Sequence, residues 1–181
     1  VYVWDAATGA TSSIYRGHTK GVWNVAWSPD DELIASGGED GMLHLWQAAT
    51  GRERPGFSYE GPRSRINEVA WSPDGKLIAS SHLDGTVRLW DARTGKAAGV
   101  LTYPGPPSSV ITARYSPQGT YIAAGYLDAT VHIWNALNGK HLFSYRKHTK
   151  QIYELSWSPD SKHLASASQD GTMHVCTLGI V

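Results

Sequence analysis

His18, Ser36 and Asp40 are the residue types of nucleophilic catalysis: a hydroxyl to attack, an imidazole to take its proton, a carboxylate to orient the ring. The same types return as His148, Ser166 and Asp170, and Ser80 and Asp84 return without a histidine. A catalytic site is not part-repeated along a chain; a packing device is. His44, His132 and His174 pose a second question. With Arg88 they share one position of a repeat, and three histidines in register invite a metal. Whether any of these groups can meet depends on the elements that carry them.

The elements follow from self-similarity. Ser-Pro pairs stand at Ser28-Pro29, Ser72-Pro73, Ser116-Pro117 and Ser158-Pro159, in steps of 44, 44 and 42 residues. Asp40, Asp84, Asp128 and Asp170 keep the same steps. Trp4, Trp46, Trp90 and Trp134 mark a strand end, and the next position in register is Cys176. Between the landmarks lie short apolar or alternating runs such as VWNVAW, ELIAS and MLHLW. Ser-Pro-Asp and Asp-Gly supply the two turns between them. After LWQAATG, LWDARTG and IWNALNG, the runs RERPGFSY, KAAGVLTY and KHLFSY predict a fourth strand. Each unit is thus four antiparallel strands, which cannot bury both faces alone and must stack on its neighbours.

Composition narrows the function classes. The 181 residues carry 16 basic and 16 acidic side chains and no net charge, so nothing electrostatic calls for nucleic acid or an anionic membrane. No apolar run approaches the roughly 20 residues that span a bilayer. The start, VYVWDAATGA, lacks the pattern of a signal peptide. One cysteine, Cys176, excludes an internal disulfide framework and suits a reducing, cytoplasmic setting.

Gly17-His18 opening a unit, Ser-Pro-Asp in the first turn, Asp-Gly in the second, and Trp-Asp at Trp4-Asp5 and Trp90-Asp91 make this chain resemble the WD-repeat β-propellers. Blade three departs from the pattern, with Gln118 after its Ser-Pro and Ala129 after its Asp. The regular SPDG and WDARTGK wording looks like bacterial members. The resemblance implies an all-β fold of four nearly complete blades plus part of a fifth, within a seven- or eight-bladed ring. Residues 1–16 end a preceding blade; 17–60, 61–104 and 105–146 form blades one to three; 147–181 form blade four without its outer strand. The expected strands number seventeen. Because the N-terminus begins in mid-blade, the expectation is a longer polypeptide whose N-terminal blades are missing, a seven-bladed ring needing roughly 300 residues. The alternative closure is a second copy.

In that family an opening-loop His, a strand-two Ser or Thr, the turn Asp and the strand-three Trp form a buried hydrogen-bond chain. Carried over, this structural network is His18, Ser36, Asp40 and Trp46 in blade one. Asp84 and Trp90 keep it in part in blade two, Asp128 and Trp134 in blade three, and His148, Ser166 and Asp170 in blade four. Pro62 and Pro106 replace the His, and Ala124 the Ser. Equivalent positions on successive blades diverge, so His44, His132 and His174 are expected as solvent-facing strand residues, and no metal or cofactor is expected. Cys176 is expected as a small buried hydrophobe.

Function is expected at the rim. The family's partner contacts lie three and five residues after the opening His and just before the turn Asp. Here these are Gly21, Trp23 and Glu39; Arg65, Asn67 and Leu83; Ser109, Ile111 and Leu127; and Gln151, Tyr153 and Gln169. They vary between blades while the framework repeats. Trp23, Tyr153 and Arg65 are hot-spot types, and Leu83, Ile111 and Leu127 offer an apolar patch. A plug of the channel mouth by Trp23 and Tyr153 is the competing reading. Mixed chemistry without net charge favours a protein or peptide ligand. The reading is a non-enzymatic interaction scaffold. Its alternative is a C-terminal regulatory propeller of a larger signalling enzyme, an NTPase or kinase. A propeller enzyme would need acids converging on the channel, where these rim positions offer only Glu39.

Overall fold

A computed structural model describes residues 1–57, 59, 61–103 and 105–179. Among these residues there is no helix, and sixteen strands form five antiparallel sheets in chain order. The first sheet pairs β1 (Tyr2–Trp4) with β2 (Thr11–Ile14). Blade one holds β3 (Val22–Trp27), β4 (Leu33–Gly38) and β5 (Leu43–Gln47). Blade two holds β6 (Ile66–Trp71), β7 (Leu77–His82), β8 (Val87–Asp91) and β9 (Ala97–Leu101). Blade three holds β10 (Val110–Tyr115), β11 (Tyr121–Tyr126), β12 (Val131–Asn135) and β13 (His141–Tyr145). Blade four holds β14 (Ile152–Trp157), β15 (His163–Ser168) and β16 (Met173–Thr177).

The strand count differs from the seventeen expected because RERPGFSY does not form a fourth strand in blade one among the described residues. Only an isolated bridge, Trp46 to Glu53, begins one. Pro55 then removes a donor, Gly56 turns at φ 79°, and the Phe57 amide bonds back to the Arg54 carbonyl at 3.3 Å. Ser58 and Glu60 lie outside the described residues.

The turns show why blade three tolerates its departures. The last residue of the first turn is left-handed in every blade, whether Asp31 (φ 61°), Gly75 (70°), Gly119 (73°) or Ser161 (60°). Ala129 takes φ 71° where the other blades have glycine. The turn geometry is kept against the local preference of an L-residue.

The core lies between the sheets. Leu43 and Leu45 of blade one pack with Ile66 and Val69 of blade two, Val87 and Leu89 with Val110 and Ala113, and Val131 and Ile133 with Ile152 and Leu155. The two end faces break this rule. Val69, Ala113 and Leu155 are at most 2% exposed, yet Val25 in the same register is 47% exposed. Leu43, Val87 and Val131 are likewise buried, but Met173 is 71% exposed. Among the described residues the sheets form no closed ring.

The innermost strand of each blade carries one irregularity. Pairing with the next strand skips one residue near the start of β3, β6, β10 and β14. The skipped residues are Trp23, Asn67, Ile111 and Tyr153. A bulge of this kind leaves one residue out of the ladder and re-aims its side chain.

Candidate partner-binding site

Those four bulged residues line one cavity of about 260 Å³ between the innermost strands of the four blades. Arg65, just before β6, joins them, its guanidinium 4.1 Å from the centre of the Trp23 ring. Trp23 and Tyr153 are 52% and 51% exposed, so each keeps one side open to solvent. Asn67 is held by its side-chain amide, which donates to the Val110 carbonyl at 2.7 Å.

Five of the expected rim residues therefore meet in one place: Trp23, Arg65, Asn67, Ile111 and Tyr153. The other seven, Gly21, Glu39, Leu83, Ser109, Leu127, Gln151 and Gln169, do not line this cavity. They stand beside it through a bond that every blade repeats. The amides of Glu39, Leu83, Leu127 and Gln169 donate to the carbonyls of Gly21, Arg65, Ser109 and Gln151 at 2.9–3.1 Å. Leu83 and Leu127 are half-exposed there.

Two carboxylates that rim reading omits, Glu68 and Glu154, also reach the cavity. Arg114 engages both, at 2.6 Å and 3.1 Å. Burial pushes the Glu68 carboxyl upward, against the pull of Arg114. Its other oxygen accepts from the Ala113 amide at 2.8 Å, so Glu68 ties blade two to blade three. Asn24 does the same between blades one and two, accepting from the Val69 amide at 3.2 Å. The signal for this role was present in sequence as polar residues at one interior register.

Beneath the rim lies the hydrogen-bonded framework. In blade one Trp46 donates its indole N–H to Ser36 at 3.2 Å, Ser36 lies 2.8 Å from His18 Nε2, and His18 Nδ1 lies 2.9 Å from Asp40. Burial pulls the His18 pKa down, so the ring is neutral, accepting from Ser36 and donating to Asp40. Burial raises Asp40, but bonds from the Met42 amide, His18 and the Thr19 amide outweigh it and hold the carboxyl low. Blade four has the same links, His148 to Ser166 and to Asp170 at 2.9 Å, with half-buried Cys176 in the tryptophan's place.

Blades two and three depart from the carried-over network. Trp90 donates to Ser80 at 2.7 Å, but Ser80 then meets His82 at 2.8 Å, and His82 reaches the Ser64 carbonyl at 3.2 Å. Asp84 stands outside this chain, bonded to Thr86 and, at 2.7 Å, to Arg88. In blade three Trp134 donates to the Thr102 carbonyl at 3.2 Å, since Ala124 offers no acceptor. Asp128 meets Tyr103 at 2.8 Å instead of a histidine. The substitute rings come from the end of strand two, where His82 and Tyr126 are fully buried. Blades with an opening histidine have Gly38 or Ser168 at that position. At Gly38 a Cβ would come 2.2 Å from the Gly21 carbonyl oxygen.

A further framework position went unread in the sequence. Tyr15, Tyr59, Tyr103 and Tyr145 recur in the steps 44, 44 and 42. Tyr15 stacks on Trp46 at 5.2 Å, Tyr59 lies 4.7 Å from Trp90, and Tyr103 stacks on His132 at 4.0 Å. Each tyrosine leaves one blade's outer edge and covers the next blade's third strand.

The solvent-facing expectation for the register histidines is corrected. His132 is fully buried, bonded to Thr130, His141 and Ser144. His44 is half-buried beside Tyr15 and Glu53. Ligand atoms of His18, Asp40 and His44 lie within 4.8 Å of one another. Both His18 nitrogens are already engaged by Asp40 and Ser36, so a cation there would have to displace the framework bonds.

The model of the IFT122 first β-propeller matches residues 1–172. The chain belongs to this family of WD-repeat β-propellers. A 52-residue stretch is 46% identical to the serine-threonine kinase receptor-associated protein of Gallus gallus, covering 29% of this chain and 15% of that protein. A 48-residue stretch is 40% identical to the eukaryotic translation initiation factor 3 subunit I of Phaeosphaeria nodorum, covering 26% and 14%. The matched stretches thus span a small part of these relatives' length. Neither is bacterial, and the bacterial look of the SPDG wording gains no support. Among solved structures, the computationally designed Ika8 protein matches 98% of this chain with 52% of its own, at TM-score 0.82 and 24% identity. The designed Ika4 protein matches 95% with all of its own, at TM-score 0.80 and 23% identity.

Proposed function

We propose that this propeller is a non-enzymatic protein-interaction scaffold that holds a protein or peptide segment on its rim. The observation that carries the reading is the bulge repeated in four blades. One backbone device turns four chemically different side chains, Trp23, Asn67, Ile111 and Tyr153, into one cavity. Framework residues recur while these differ, which is what a partner-encoding surface requires. Half-exposed aromatics favour contact with a partner over a plug. The test is selection of a displayed random-peptide library on the immobilised chain. Selected peptides should bind Tyr153→Ala at least tenfold more weakly than wild type. Binding that is indifferent to Tyr153→Ala and Trp23→Ala contradicts the reading. A cytoplasmic setting accords with a single cysteine whose thiol burial pushes up, away from reactivity.

The end faces support a second reading, a seven- or eight-bladed ring completed by further blades. Val25 and Met173 occupy registers that are buried wherever a neighbouring blade is present. Light scattering on the 181-residue chain tests one source: a doubled mass supports a second copy, and a monomer excludes it and leaves the blades of a longer polypeptide to be sought by intact mass of the full polypeptide. Such a polypeptide would also accommodate the role of regulatory propeller in a larger NTPase or kinase.

A further inference from the structure

We infer that the rim cavity recognises an acidic side chain, an aspartate or glutamate within an internal peptide segment that crosses the four bulged residues. This rests on the partner-binding reading above and gives it a chemistry. Arg65 is the only cation among the cavity's described lining residues. Its guanidinium carbon sits 4.1 Å from the centre of the Trp23 ring, a cation–π contact that restricts the fork. Its Nε is buried without a hydrogen-bond partner, as are those of Arg88 and Arg114, so what sets Arg65 apart is its terminal nitrogens. Among the described residues no carboxylate comes within 4.0 Å of it, although Arg88 and Arg114 each have one.

The cavity's own acids do not fill that vacancy. Glu68 and Glu154 are both paired with Arg114, which does not itself line the cavity. A guanidinium held beside an indole, with no carboxylate on its terminal nitrogens, is complementary to a planar carboxylate taken bidentately by those nitrogens. Phosphate sites gather several donors, whereas here one arginine stands beside two carboxylates, so a carboxylate fits better than a phosphate. Trp23 and Tyr153, on the first and last blades of the row, suit apolar residues either side of the acid. A segment lying across all four blades continues in both directions, which favours a side-chain carboxylate over a chain terminus.

The experiment is a double-mutant cycle on peptides selected from a loop-displayed random library, which has no free C-terminus. Peptides that require Tyr153 should share one Asp or Glu. Changing it to the amide should weaken binding to wild type roughly 10- to 100-fold, and should have little effect on binding to Arg65→Gln. Arg65→Lys should show an intermediate loss, because it keeps charge but not the fork. Unfolding midpoints of both variants control for folding. Tyr153-dependent peptides without an acid, or an acid whose loss costs the same in Arg65→Gln, overturn the inference and leave the rim reading standing. Binders found only in a second library with free C-termini would assign the site to a terminal carboxylate and overturn it too. A library in which nothing depends on Tyr153 overturns the rim reading itself.

Discussion

Blades one and two solve the same problem with rings from opposite directions. Each must satisfy a buried tryptophan N–H through a serine, and each must then satisfy the serine. Blade one brings His18 in from the opening loop and anchors it on Asp40; blade two brings His82 up from the end of its second strand and anchors it on a backbone carbonyl. Gly38 stands where blade two has His82, and a Cβ there would come 2.2 Å from the Gly21 carbonyl oxygen; blade four, with the same loop histidine, carries only the small Ser168 at that position. Blade three goes further, filling the strand-end position with Tyr126 and bonding its tryptophan to a carbonyl. The hydrogen-bond chain is therefore one of several interchangeable ways to close the same volume. All three leave the bulge above untouched.

The largest effect should come from removing the shared part. Trp46→Ala and Trp90→Ala each leave a cavity in the same register and should each cost about 3–5 kcal/mol in denaturant unfolding. A difference between them far beyond this range would mean the blades are not equivalent below the rim. Next is the serine. Ser36→Ala and Ser80→Ala should each cost about 1–3 kcal/mol, because each strands an indole N–H and an imidazole nitrogen. Ala124→Ser should gain little, since Trp134 already has the Thr102 carbonyl. A large gain there would show that blade three is deficient rather than differently solved.

Acid should act on both kinds of blade. Burial lowers His82 and His132 to about 4, and lowers His18 as well. In this window the unfolded chain binds more protons than the folded one, so stability should fall as pH drops from about 6.5 toward 4. His82→Gln should flatten that part of the profile. An unchanged slope would mean His82 is charged in the fold. Substitution at the rim should be smallest: Tyr153→Ala should move stability by less than about 0.5–1 kcal/mol.

Sequence and structure agree best where spacing carries the information. The Ser-Pro and Asp-Gly turns, the third-strand tryptophans and the stacking they require are all visible at fixed steps. The chain of His18, Ser36, Asp40 and Trp46 follows from a resemblance, and its bonds are short. Asp84 stands outside the expected chain because the ring arrives from His82, on a different strand, and an opening proline gives no sign of it. The tyrosine series was legible at the same spacing and went unread, because an outer strand gives no hint that it covers the next blade. The bulge was not legible at all. It is a register slip between two strands, and no residue type announces it.

In the proposed division of labour, framework residues hold the blades and bulged residues hold the partner. The most direct measurement is the affinity of one rim-selected peptide for wild type, Tyr153→Ala and Ser80→Ala, with each protein's unfolding free energy taken alongside. The account predicts a loss of affinity of tenfold or more with stability intact for Tyr153→Ala, and lost stability with affinity kept in the folded fraction for Ser80→Ala. Equal affinities for wild type and Tyr153→Ala, or a Tyr153→Ala chain destabilised as much as Ser80→Ala, would contradict it.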